Sequence, residues 1–270
     1  MLELTLEGRS NLTRKIKIQA QGLGANLVGI ANAERWDQEP MTEPEYRPQN
    51  IWPWARSVIV MGMQIYLPML ETTPSVVYSE LYNTSNRLLD EIAYRLANSL
   101  FSQGFRAHYF PRDCYGDISV LVEKPEAAFS HVIAGYYAGL GTIGENHTLL
   151  TREYGPRVRL VSVITDALLD PDDMIKEDLC IHCGRCVREC PIHAFVSGEN
   201  KGIADMDTHK CARYHQHLKG EFRYPCGRCT AVCPVGLDRK IYGINSVSPE
   251  GIEHVRNFGS LNAIKKAEAK

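Results

Sequence analysis

No stretch of this sequence approaches the about 20 consecutive apolar residues needed to cross a bilayer as a helix. The longest candidate, residues 57–67, is interrupted by Gln64 and stops at Pro68. A membrane-embedded chain is therefore not expected. The N-terminus lacks a charged-then-apolar segment with a small-residue cleavage site, and there is no twin-arginine signal, so a cytoplasmic location is expected. Thiols stay reduced in that compartment, and clustered cysteines there signal metal or catalysis rather than disulfides. A strong net charge is also missing: 30 Lys and Arg stand against 32 Asp and Glu, which gives no general attraction to nucleic acid or anionic lipid. Low-complexity segments are absent, and the 44% hydrophobic content places the chain with ordinary soluble globular proteins.

What the sequence does have is cysteine in one place. Eight of the nine cysteines lie between residues 180 and 233. Cys180, Cys183, Cys186 and Cys190 precede Pro191 in a C-x2-C-x2-C-x3-C-P run, the spacing by which bacterial ferredoxins wrap three thiolates around one cubane and send the fourth to a neighbouring one. Cys226, Cys229 and Cys233, followed by Pro234, repeat the last three positions, but Arg223 occupies the first. Cys211 is the unassigned cysteine nearby. The reading is two [4Fe–4S] clusters, one on Cys180, Cys183, Cys186 and Cys233, the other on Cys190, Cys211, Cys226 and Cys229. A [3Fe–4S] centre or zinc is the alternative, although zinc ribbons do not call for a third close cysteine or the C-P ending. Cys114 stands apart and reads as an ordinary buried or half-exposed thiol.

The clusters need far less chain than is present, so residues 1–170 must hold another function. Residues 10–22 show helical periodicity, residues 27–31 a short buried strand, residues 34–53 a surface excursion, and residues 57–67 a central strand apolar on both faces. A long helix is expected over 78–103, a strand over 106–110, a helix over 126–138 and a strand over 158–165. This alternation indicates an α/β domain in two or three layers. Residues 170–173 form a polar boundary, the cluster region runs to about residue 240, and residues 241–270 form a tail with a frayed end.

Gly139, Gly141 and Gly144 fall in a G-x-G-x-x-G pattern, but a helical pattern precedes it and no acidic residue ends a following strand, which argues against a Rossmann site. What remains is a tight loop that allows close backbone approach. Residues 138–169, AGLGTIGENHTLLTREYGPRVRLVSVITDALL, followed by the first cysteine run, resemble the core of the epoxyqueuosine reductases and of the reductive dehalogenases, iron–sulfur enzymes that use cobalamin. Residues 26–33 (NLVGIANA) resemble their early strand. Residues 117–124 (DISVLVEK) resemble the segment that carries the acid of the epoxyqueuosine reductases. Those reductases likewise draw one cluster ligand from well upstream, as Cys211 would be.

The resemblance implies an α+β protein: a nitroreductase-like α/β corrinoid-binding domain over 1–170, a two-cluster bacterial ferredoxin-like domain over 171–240, and the tail. It implies cobalamin against a loop of Gly139, Gly141, Thr142, Ile143, Gly144, Asn146 and His147, with His147 as a polar contact rather than a cobalt ligand. It implies Asp117 as general acid, against the plainer reading of a loop aspartate that caps a helix. Tyr136 and Tyr137 read as core and rim residues. His209, His215 and His217 read as neighbours of a ligand loop rather than ligands. The chain departs from the epoxyqueuosine reductases at Thr142, where they carry Trp, at Glu145, where they carry Lys, and after the clusters, where they continue into a helical-repeat region that helps grip tRNA. The expected function is an iron–sulfur, cobalamin-dependent reductase fed by an electron donor such as ferredoxin or flavodoxin and acting on a small molecule or nucleoside, with tRNA not favoured. The alternative is an electron-transfer or cobalamin-handling protein without substrate chemistry of its own.

Overall fold

The computed structural model describes residues 5–113, 115–196, 203–243 and 245–258, so Cys114 and the end of the tail lie outside the described residues. Four antiparallel strands form the central sheet: β1 (Leu27–Asn32), β2 (Ser57–Gln64), β3 (Ala107–Phe110) and β4 (Val158–Thr165), in the order β1-β2-β4-β3. Pairing is in register over the full length of β2 and β4, from Ser57 opposite Thr165 to Gln64 opposite Val158. Both strands are mostly apolar because side chains of a strand alternate between faces and here both faces are covered.

One face packs against α1 (Leu6–Gly22) and α2 (Val76–Ser102). Leu12, Ile16 and Ala20 of α1, at helical spacing, meet Leu89, Ile92 and Leu96 of α2 over Ile59, Met61, Val161 and Val163. The opposite face, through Val58, Val60, Leu160 and Ile164, packs on α4 (His131–Tyr137) and on Trp36 and Phe129. Each fully buried Leu, Ile or Phe contributes roughly 1.5–3 kcal/mol, and the two layers together fix the sheet from both sides. The α+β class and the three-layer arrangement follow.

Three local differences from the sequence expectations have physical causes. The central strand ends at Gln64 and the chain turns into a short helix, Leu67–Glu71, with Pro68 near its start, where the missing N–H costs nothing. The helix expected from residue 126 begins at His131, because the Ser130 hydroxyl accepts from the Ile133 N–H and caps it. Residues 34–53 are less of an excursion than their composition suggests: Trp36 is 2% exposed and packs on Tyr137, ring centroids 4.6 Å apart, which ties the segment to the core. A further short helix, α3 (Ile118–Glu123), occupies residues that carry no helical signal.

The polar boundary is tied back to the first domain, since Arg9 pairs with Asp170 and Lys17 with Asp172, and Asp172 also accepts from the Ile30 N–H at 2.9 Å. Beyond it the two cysteine runs share a local plan. Cys183-Gly184-Arg185-Cys186 and Cys226-Gly227-Arg228-Cys229 are the same tetrapeptide. In each the glycine is left-handed, φ 64° and 62°, and opens a four-residue helical turn that carries the next cysteine. An L-residue resists that conformation, and glycine does not. Between the runs lie a two-stranded hairpin, Phe195–Val196 with Asp205–Met206, and α5 (Thr208–Gly220), which carries Cys211.

Candidate functional site

The eight thiols separate into two nests. Burial pushes the Cys186 thiol up to about 11, with further repulsion from Glu145, Cys233 and Cys180. Cys233 is likewise raised by burial, and Cys183 and Cys180 act on it. In the other nest burial raises Cys211 to about 12, with Cys226 and Cys190 as its thiol neighbours. Cys229, also raised to about 12 by burial, has Cys226 and Cys211 beside it and Cys186 of the first nest also acting on it. The raised thiols in each nest need a compensating cation to become thiolates, and a bound iron–sulfur cluster would supply one. The donor chemistry fits such a group.

Between the sheet domain and the second nest lies a cavity of about 460 Å³, a size suited to an organic ligand. Cys190, Cys211, Cys226 and Cys229 all line it, whereas Cys180, Cys183, Cys186 and Cys233 do not. Its far wall carries a polar network. Asp113 accepts from the Tyr82 hydroxyl at 3.1 Å, from Arg159 Nη2 at 3.1 Å and from Asn86 Nδ2 at 3.4 Å. The Arg159 guanidinium also sits 4.5 Å from the centre of the Tyr82 ring. Tyr115 and Tyr224 share a hydrogen bond of 2.7 Å between their hydroxyls, and burial raises both phenols above their ordinary range. His131, between Ser162 Oγ and the Pro111 carbonyl, and His215 are both pushed down by burial to about 4. Both imidazoles are therefore neutral near pH 7. The wall offers phenolic protons beside the Arg159–Asp113 pair, in a lining that is otherwise largely apolar and aromatic.

The glycine loop does something other than line this cavity. A Cβ on Gly141 would meet the Leu150 carbonyl oxygen at 2.0 Å, and one on Gly139 the Asp173 carbonyl oxygen at 2.2 Å, so the close approach is to the chain itself. Thr142 and Ile143 pair with Leu149 and Leu150 in a small hairpin. Thr142 Oγ1 accepts from the Leu179 N–H at 3.0 Å, next to Cys180. Asn146 Nδ2 donates to the Cys229 carbonyl at 3.4 Å, and the His147 ring nitrogen bonds the Ala204 carbonyl. The loop grips the main chain beside both nests. Of its seven expected cofactor contacts, Asn146 alone lines the cavity.

Asp117 is half-exposed and does not line the cavity. It caps α3, accepting from the Ser119 N–H at 3.0 Å and the Ser119 hydroxyl at 2.8 Å, and it pairs with Lys219 of α5. Those bonds, Lys219 first, hold its carboxyl well below the usual range, whereas a general acid needs the opposite shift. Tyr137 is buried core and packs on Trp36. His209 bonds the Val122 carbonyl at 3.0 Å, joining α5 to α3.

Sequence reasoning missed Tyr82, Asp113, Tyr115, Arg159 and Tyr224. One signal was present: Arg159 is a charge inside an otherwise apolar strand, VRLVSVIT. An ion at such a place requires a partner, and Asp113 is that partner.

A 4Fe-4S dicluster domain family matches residues 179–237. The chain is 26% identical over 284 residues to the tetrachloroethene reductive dehalogenase of Desulfitobacterium hafniense, covering 84% of this chain and 48% of that protein. It is 28% identical over 268 residues to the epoxyqueuosine reductase of Bacillus cereus, covering 88% of this chain and 68% of that protein. The chain thus spans about half the length of the dehalogenases it matches. Among solved structures, a reductive dehalogenase described as suggesting a mechanism for B12-dependent dehalogenation superposes with a TM-score of 0.68 over 98% of this chain and 37% of that one, at 23% identity. In its dicluster domain and in the fold of the rest, the chain is similar to the reductive dehalogenases and the epoxyqueuosine reductases.

Proposed function

We propose that the chain is an iron–sulfur reductase whose two clusters deliver electrons to a corrinoid in the interdomain cavity and thence to an organic substrate. The outer cluster is held by Cys180, Cys183, Cys186 and Cys233, the inner by Cys190, Cys211, Cys226 and Cys229. One observation carries this reading: all four cysteines of the inner set, and none of the outer set, line the cavity. A corrinoid bound there would supply a low-potential metal able to attack or reduce an organic group. The apolar and aromatic lining would meet one part of such a cofactor, with Asn146, Tyr82 and Arg159 as its polar contacts.

The chain's own part is to exclude water, orient and protonate. Tyr115, hydrogen-bonded to Tyr224, holds a phenolic proton facing the cavity and is the donor in this scheme. Asp113, which accepts from Tyr82, Asn86 and Arg159, fixes Arg159 and Tyr82. Electrons enter at the outer cluster from a small redox protein such as ferredoxin or flavodoxin, and the location is cytoplasmic. Among the described residues no helix is long and apolar enough to span a membrane.

Anaerobically purified protein titrated with hydroxocobalamin tests this. Spectral change on binding, followed by reduction through the clusters, is the expected outcome; the absence of binding in both oxidised and reduced protein removes the corrinoid from the scheme. Turnover is then screened with halogenated aromatics, epoxides and modified nucleosides, free and tRNA-borne.

A second reading, electron transfer or cobalamin handling without substrate chemistry, draws on the placement of Asp117 at the surface, paired with Lys219. Corrinoid reduction without turnover of any screened substrate is its signature.

A further inference from the structure

Arg157 and Asp238 are an ion pair with side chains 0% and 1% exposed. Arg157 stands just before β4 in the sheet domain, and Asp238 opens the helical turn Asp238–Tyr242 beyond the last cysteine. The pair is bidentate, Nε to Oδ2 at 2.5 Å and Nη2 to Oδ1 at 2.6 Å. The same guanidinium donates through Nη1 to the Cys233 carbonyl at 3.0 Å and through Nη2 to the Val235 carbonyl. A second arginine converges on the same atom: Arg239 Nε donates to the Cys233 carbonyl at 3.2 Å. Arg239 has its own carboxylate, Glu71, at 3.0 Å, both side chains 10% exposed.

Two buried cations thus meet at the main chain of one cysteine, each neutralised by its own acid. Among the described residues no arginine donates to the Cys190 carbonyl, the corresponding position of the other run. A buried ion pair gains little stability over apolar residues of the same size, so stapling the two domains is a weak reason for this construction. Charge is a stronger one. Reduction adds an electron to a thiolate-ligated cluster, and an uncancelled cation beside it in a low-dielectric interior would favour the reduced form.

We propose that the Arg157–Asp238 and Arg239–Glu71 pairs set the reduction potential of the cluster that includes Cys233: the arginines anchor its loop and the carboxylates cancel their charge, so the potential stays low enough to pass electrons inward. This rests on the cluster reading above, and iron content separates the two: a wild type holding far fewer than about eight irons per chain fails that reading before any potential is measured.

The test is a potentiometric titration of the full chain, purified anaerobically with its clusters and followed by electron paramagnetic resonance. Asp238→Asn is expected to raise the potential of one cluster by a tenfold shift of its equilibrium or more, about 59 mV for one electron, while the other stays near its wild-type value. Arg157→Met, which leaves Asp238 uncancelled, is expected to move the same cluster downward. Arg157→Met with Asp238→Leu removes both charges and is expected to restore the wild-type potential. Glu71→Gln acts through the second pair and keeps the test open if Asp238→Asn does not assemble its clusters; a rise in the same cluster is expected. A purely structural staple predicts cluster loss or lower stability with no change of potential. Unchanged potentials in Asp238→Asn or Glu71→Gln with clusters intact, or equal shifts in both clusters, would overturn the proposal.

Discussion

The two C-G-R-C tetrapeptides are identical in sequence and in backbone, yet their surroundings differ. The first, residues 183–186, lies on the outer side, where Ile181 is 64% exposed and the main chain is gripped from Thr142. The second, residues 226–229, lies against the cavity, with Tyr224 just before it and Asn146 bonded to its last cysteine. Local sequence sets the turn that presents a thiol. Position in the molecule sets whether that thiol lines the cavity or lies away from it.

The largest effect expected from breaking this comparison is at Cys211, which belongs to the inner nest alone. Cys211→Ala should reduce iron from about eight to about four per chain and abolish reduction of added hydroxocobalamin, while the outer cluster keeps its resonance signal. Retention of about eight irons would take Cys211 out of the ligand set.

The cavity side is tested next by Tyr115→Phe. This removes the proton donor and leaves the ring in place, so turnover of an accepted substrate should fall about 10²-fold with corrinoid reduction unaffected. A rate close to that of wild type would mean that the proton comes from elsewhere.

The same substitution in both tetrapeptides sharpens the comparison directly. Gly184→Ala must adopt a positive φ, at a cost of about 1–2 kcal/mol, and otherwise meets only the flexible end of Arg188. Gly227→Ala carries that strain and also places its methyl 2.6 Å from the Tyr78 ring, which adds about 1–3 kcal/mol of overpacking. Chemical denaturation under anaerobic conditions should rank Gly227→Ala as the less stable. Equal losses would show that the two environments are not energetically distinct.

The smallest effect belongs to Asp117. Because Asn keeps the helix cap and Lys219 is solvated, Asp117→Asn should leave turnover and the neutral-pH melting temperature nearly unchanged. Its folded pKa is depressed, so the carboxylate's contribution is in place above the ordinary aspartate value near 3.9 and is lost as pH falls through the lower folded value. Any difference in melting temperature between wild type and variant should therefore shrink in acid. A drop in turnover of about 10²-fold at neutral pH would instead restore Asp117 as the acid, through a loop movement that breaks its pair with Lys219.

Much of the fold is legible in the order of residues alone. The strand expected over 57–67, apolar on both faces, and the one expected over 158–165 stand out, as do α1 and α2 by their stripes, because burial of a regular element imprints its period on the sequence. The cluster cysteines are legible for a related reason: ligands within a C-x2-C-x2-C run are held by a few covalent bonds, so their spacing nearly is their geometry. That Asp113 and Tyr115, and not Asp117, line the cavity is not legible there. These residues lie within one short loop, and which of them faces inward depends on α5, about 100 residues later in the chain, where Lys219 holds Asp117 outside.

The two cysteine runs, the sheet domain ahead of them and the kinship with reductases are thus properties of the sequence. Which cluster meets the cavity, how the glycine loop grips the cluster main chain, and the convergence of Arg157 and Arg239 on Cys233 are products of packing. Period and spacing record contacts made within a turn or two of the chain. A cavity wall is assembled from residues such as Tyr82, Arg159 and Tyr224, whose separation along the chain carries no trace of their meeting until the folded structure brings them together.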